Sequence, residues 1–86
     1  MVHYVETIDI DDERFITYCS EDDFNYDIKI GQKCKVILMN ESLIIGTLYS
    51  VNDESFILQL GNGDNVEIIY SDINDIFSEE EIGMIN

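Results

Sequence analysis

LIIGTLYSV, residues 43–51, is the stretch on which the fold turns. Its β-branched and apolar side chains suit a strand, and a single glycine, Gly46, interrupts them near the middle. A lone glycine inside a strand marks a bulge, a sharp bend or a close backbone approach. A ribbon bent there curls onto its neighbours instead of lying flat.

The flanking segments extend the same pattern. Lys33 to Met39 (KCKVILM) starts in alternation and ends as an apolar run, then breaks at Asn40-Glu41-Ser42. After Val51, Asn52-Asp53-Glu54-Ser55 reads as a turn and Phe56 to Leu60 (FILQL) as the next strand. Gly61-Asn62-Gly63-Asp64 is the strongest turn signal, since it offers residues that accept positive φ in a tight hairpin. Asn65 to Tyr70 (NVEIIY) returns, Ser71-Asp72 breaks it briefly, and Ile73 to Phe77 (INDIF) ends the series. Five short strands joined by short turns, with a bend at Gly46, predict a mainly β fold: a five-stranded small barrel over residues 30–77 that hides its own edges.

Before this region, residues 1–29 form an acidic N-terminal extension of the same single domain, 1–86. His3 to Ile10 (HYVETIDI) alternates as a strand does, and Arg14 to Cys19 (RFITYC) can pair with it across Asp11-Asp12-Glu13. The same acids also suit the first turn of a short helix, in which Phe15, Tyr18 and Cys19 share one face. Ile16 and Thr17, being β-branched, favour the hairpin. Residues 78–86 read as an acidic tail ending in Ile82, Met84 and Ile85.

Composition supports a folded β domain: fifteen Ile, no Ala and no Pro in 86 residues, with 45% hydrophobic and 27% charged. The charge balance is lopsided. Nineteen acids against four bases give −15, which opposes binding to polyanions and anionic membranes. No apolar run approaches the roughly 20 residues of a membrane span, and no leader pattern opens the chain. The expectation is a cytoplasmic protein in which Cys19 and Cys34 stay reduced.

Residues Ile30 to Phe77 resemble the Sm-like (LSm) branch of the SH3-like small barrels. The likeness rests on a strand, a turn, a strand with an interior glycine, a hairpin and two short strands around a tight turn. Gly46 matches the glycine of the first Sm motif, with Leu48 and Val51 at its apolar positions. The resemblance implies ring assembly through strand pairing, with interface candidates Val66, Ile68, Tyr70, Ile73, Ile76 and Phe77. It also implies RNA binding, but the motif residues for that are replaced. Asn52 stands where an Asp is usual, Phe56 where an Asn is usual, and Tyr70-Ser71 where an Arg-Gly pair is usual. Phe56 and Tyr70 remain as candidates for stacking on a nucleobase.

Catalytic signals are weak. His3 stands alone, the two cysteines read as buried thiols, and no cofactor is expected. Asp9-x-Asp11-x-Glu13 echoes a calcium loop, but Arg14 occupies the sharp-turn position and Ser20 replaces the closing acid, so no metal is expected. The expectation is a non-enzymatic interaction module that binds a protein partner or itself by strand pairing. A rival reading takes Asp11, Asp12, Glu13, Glu21, Asp22 and Asp23 as an acidic partner-binding face that imitates nucleic acid against a basic protein. A divergent RNA binder is the third.

Overall fold

The computed structural model describes residues 1–82. The chain is mainly β, with eight strands in two antiparallel sheets. The first sheet is a meander of β1 (Tyr4–Ile10), β2 (Glu13–Cys19) and β3 (Asn25–Ile28). The second contains β4 (Lys33–Leu38), β5 (Leu43–Val51), β6 (Ser55–Gln59), β7 (Asn65–Ile69) and β8 (Ile73–Ser78), in the order β7-β6-β5-β4-β8.

The closed five-stranded barrel expected from sequence is corrected here. The second sheet is open, with β7 and β8 at its opposite edges. The physical reason is that the first sheet covers its inner face, so apolar side chains are buried between two layers and closure is not required. Ile16, Tyr18 and Ile28 of the first sheet join Cys34, Val36, Leu48, Phe56, Leu58, Ile68, Ile73 and Ile76 of the second in one core. Neither N-terminal segment is helical: Ile10 and Glu13 close a two-residue turn, and β1 and β2 pair over their full length. Asp11 and Asp12 take φ of 51° and 64°, the left-handed values that a type I′ hairpin turn demands.

β5 is the hinge of the second sheet. Its first half, Leu43 to Thr47, pairs with β4, and its second half, Thr47 to Val51, pairs with β6. Gly46 sits at the changeover and is buried; a Cβ there would stand 2.9 Å from the carbonyl oxygen of Gln59. The close approach of β6 therefore requires glycine. A register shift between Leu48 and Ser50 adds further twist and turns Tyr49 outward.

Between β7 and β8 the chain makes a 3-10 turn, Tyr70–Asp72, where a short break was expected. After β8 a single helical turn, α1 (Glu79–Ile82), begins at Ser78, whose Oγ accepts the Glu81 N–H at 3.0 Å. The rest of the expected acidic tail, residues 83–86, lies outside the described residues. Among the described residues no helix is long and apolar enough to cross a membrane.

Candidate protein-binding groove

At the seam between the two sheets a cavity of about 460 Å³ opens. One wall is β1, through Val5, Glu6 and Thr7. The floor is the β5–β6 turn, through Asp53 and Glu54, and the other wall is the end of β7 with the 3-10 turn, through Ile69, Tyr70 and Ser71.

Thr7 holds the groove in shape. Its hydroxyl shares a hydrogen bond with the Tyr70 hydroxyl and donates to the carbonyl of Asn52 at 2.6 Å. The Tyr70 N–H reaches Glu54 O at 3.0 Å, and its ring packs on Phe56 with centroids 5.9 Å apart. Burial pushes the Tyr70 phenol up, against the Thr7 hydrogen bond and the nearby Arg14 charge. Tyr70 is thus a neutral wall of the groove at physiological pH.

The charge inside is negative. Glu6, Asp53 and Glu54 line it, and the nearest cation is already engaged. Arg14 grips Asp9 through two nitrogens at 2.9 and 2.8 Å and approaches Asp53 at 3.3 Å. The guanidinium beside Asp9 holds that carboxyl below its usual range. Asp9, the first acid of the calcium-loop echo, is therefore spoken for by Arg14.

The two edges of the second sheet differ. In an antiparallel ladder, residues alternate between facing the neighbour and facing away. The bonds Tyr70 N–H to Glu54 O and Leu60 N–H to Asp64 O fix that alternation, so Asn65, Glu67 and Ile69 direct their N–H and C=O groups away from β6. At β8, by contrast, Val2 N–H bonds Asn74 O at 3.0 Å and Ser78 N–H bonds the Tyr18 hydroxyl at 2.8 Å. Edge β8 is capped by the chain's own N-terminal part, while β7 offers its backbone beside the groove.

No family model, curated protein or solved structure matches this chain. Its site must be read from its own residues.

The residues singled out from sequence fall in different places. Phe56 is fully buried, so no base can stack on it; that candidate is corrected, because its ring fills the core beneath Tyr70. Tyr70 keeps one side towards the groove. Of the interface candidates, Ile68, Ile73 and Ile76 point into the core, Val66 packs against it, and Phe77 lies half-buried beneath the Lys35 ammonium. Their side chains are thus buried or half-buried, while the main-chain groups of Asn65, Glu67 and Ile69 point outward from β7.

The six acids proposed as one face are split. Asp11, Asp12 and Glu13 sit at the β1–β2 turn, and Glu21, Asp22 and Asp23 at the β2–β3 turn, at opposite ends of β2. Glu21 binds the N-terminal ammonium at 2.6 Å, and Asp23 meets His3 at 3.0 Å. Cys34 is fully buried, and its thiol is pushed up to about 12 by burial, with a smaller push from Glu79. A thiol held neutral in this way is no nucleophile.

The groove itself escaped the sequence reading. Glu6, Thr7, Asp53, Glu54 and Ile69 gave no motif; the only signal was that Asn52–Ser55 is a turn. What brings them together is the packing of β1 across the end of β5 and β6, a contact between residues some 45 positions apart.

Proposed function

We propose that this protein is a non-enzymatic interaction module, related to the Sm-like and SH3-like small barrels, that captures an extended segment of a protein partner by strand addition along β7. The order β8-β4-β5-β6-β7, the bend at Gly46 and the 3-10 turn before β8 support the relationship. The observation that carries the function is the contrast between the edges: β8 is covered by Val2 and Tyr18, whereas the outward main-chain groups of β7 meet no partner among the described residues and run into the groove.

An added strand gains main-chain hydrogen bonds, and pockets for alternate side chains give selectivity. Here the pocket beside the edge is walled by Glu6, Asp53 and Glu54, so the captured segment carries Lys or Arg at the position that enters it. A total charge of −15 steers such a segment in and repels acidic competitors.

A synthetic peptide alternating Lys with Val tests this reading by amide shift mapping at low salt. The amides of Asn65, Glu67 and Ile69 and of Thr7 are expected to move. Ile69→Pro removes an outward N–H at a residue whose φ of −88° already lies near that of proline, so the β6–β7 ladder survives. That variant should lose the peptide and keep the fold. Equal binding of the variant, or of an alternating Glu-Val peptide, overturns the proposal.

A further inference from the structure

Arg14 is the only arginine of the chain, and its guanidinium stands between two carboxylates. Nε and Nη2 donate to Asp9 at 2.9 and 2.8 Å, and Nη2 also lies 3.3 Å from Asp53, which lines the groove. The remaining nitrogen, Nη1, reaches the Val51 carbonyl at 3.4 Å. The same positive charge acts on the Tyr70 phenol in the facing wall. A cation of the chain's own thus stands at a carboxylate that a captured lysine or arginine has to meet.

The shape of the groove does not depend on this residue. The Asn52 N–H donates to the Ser55 carbonyl at 2.8 Å, and the Thr7 hydroxyl reaches the carbonyls of Asn52 at 2.6 Å and of Asp53 at 3.2 Å. The Tyr70 N–H closes the far side on Glu54 O at 3.0 Å. None of these bonds involves Arg14. The Asp53 side chain is 87% exposed, and an ion pair so open to water adds little order to a turn. At close range the guanidinium supplies positive charge instead. It offsets part of the field of Glu6, Asp53 and Glu54 and opposes the approach of a second cation.

We propose that Arg14 is an internal competitor for the groove. It occupies Asp53 in the free protein and holds down the affinity for basic segments, so that a segment is retained when its own cation outcompetes the guanidinium. Selectivity of this kind comes from a repulsive element built in beside the attractive ones. The role rests on strand capture along β7 and names the residue that sets its threshold.

A single arginine gives a single Nε–H resonance, so Arg14 carries its own reporter. Titration of the full chain with the alternating Lys-Val peptide at low salt should shift that resonance together with the amides of Asn65, Glu67 and Ile69. Arg14→Gln should bind the peptide about two- to fivefold more tightly, the range set by one exposed charge pair. Lys29→Gln makes the same change in net charge on the other face of β2, where Lys29 lies over the Phe15 ring and pairs with Glu13. Its gain should be clearly smaller. Asp53→Asn, introduced first, should shrink the gain from Arg14→Gln. Equal gains from Arg14→Gln and Lys29→Gln, or weaker binding by Arg14→Gln, overturn the competitor role and leave strand capture standing. So does an Nε–H resonance that stays in place while the β7 amides move. A peptide that moves no amide of β7 brings down strand capture itself, and the competitor role with it.

Discussion

The Tyr18 hydroxyl accepts the Ser78 N–H at 2.8 Å and donates to the Glu81 carboxylate, while the Ser78 Oγ accepts the Glu81 N–H. A helix-capping box normally has the N-cap hydroxyl and the third-residue acid satisfy each other's backbone N–H groups. Here the acid is relayed through a tyrosine from the other sheet. One fully buried side chain therefore caps the edge of β8, anchors α1 and ties the two sheets together.

Tyr18→Phe keeps the ring and its 5.6 Å stacking on Tyr26 and removes the relay. The Ser78 N–H is left without its partner in a buried position, which costs about 1–3 kcal/mol. Denaturant unfolding should report that loss. Native-state hydrogen exchange should show the Ser78 amide accelerated more than amides in β5; uniform acceleration would mean that the hydroxyl does not protect the edge.

Gly46→Ala tests the hinge of β5. The new methyl would stand 2.9 Å from Gln59 O and 3.1 Å from the Leu58 Cβ, so the backbone of β6 must move. Overpacking of this kind costs about 1–3 kcal/mol, which outweighs the backbone-entropy gain of about 0.5–1 kcal/mol from removing a strand glycine. The melting temperature should fall by roughly 4–8 °C for each kcal/mol lost in a domain of this size. An unchanged melting temperature would refute the close approach.

The legible part of the fold was the part written in short-range pattern. Alternation, turn residues and Gly46 located β4 to β8, because each strand is set by its own side chains and by the hairpin beside it. Closure was not legible. Whether Leu48 and Ile76 are covered by a curled sheet or by a second layer depends on Ile16, Tyr18 and Ile28, and their contacts with the second sheet span dozens of residues. β3 went unseen since NYDI is short and lies within an acidic stretch. The stacking role of Phe56 failed for a related reason: an aromatic on a strand reads the same whether it faces core or solvent, and one residue of register decides.

Asp12→Gly is expected to stabilise the protein. Asp12 holds φ of 64° beside Asp11 at 51°, and a residue with a Cβ in that region carries a cost of roughly 1 kcal/mol that glycine avoids. The substitution also removes one of three consecutive acids at the turn. Thermal denaturation should show a gain of a few degrees for Asp12→Gly and a loss for Asp12→Ala, whose side chain tolerates the left-handed region less well. A gain for both would assign the effect to charge alone.

The buried thiol of Cys34 gives the protein an alkaline weakness. In the fold the thiol is pushed up to about 12, mainly by burial, from an ordinary value near 9. A group whose pKa is raised by folding contributes stability in full below its unfolded value. As pH climbs from about 9 towards 12 the unfolded chain releases that proton and the folded chain retains it, so stability drains away. Tyr18, raised by burial from 10, adds to the decline above that pH. Denaturant midpoints between pH 7 and 11 should therefore fall on the alkaline side. Cys34→Val keeps an apolar side chain of similar size in the core and should flatten the slope from pH 9 to 10, where Tyr18 has yet to contribute. An identical slope in the variant would show that some other group governs the decline. The same burial predicts that iodoacetamide leaves Cys34 unmodified in the native protein and alkylates it once denaturant opens the core.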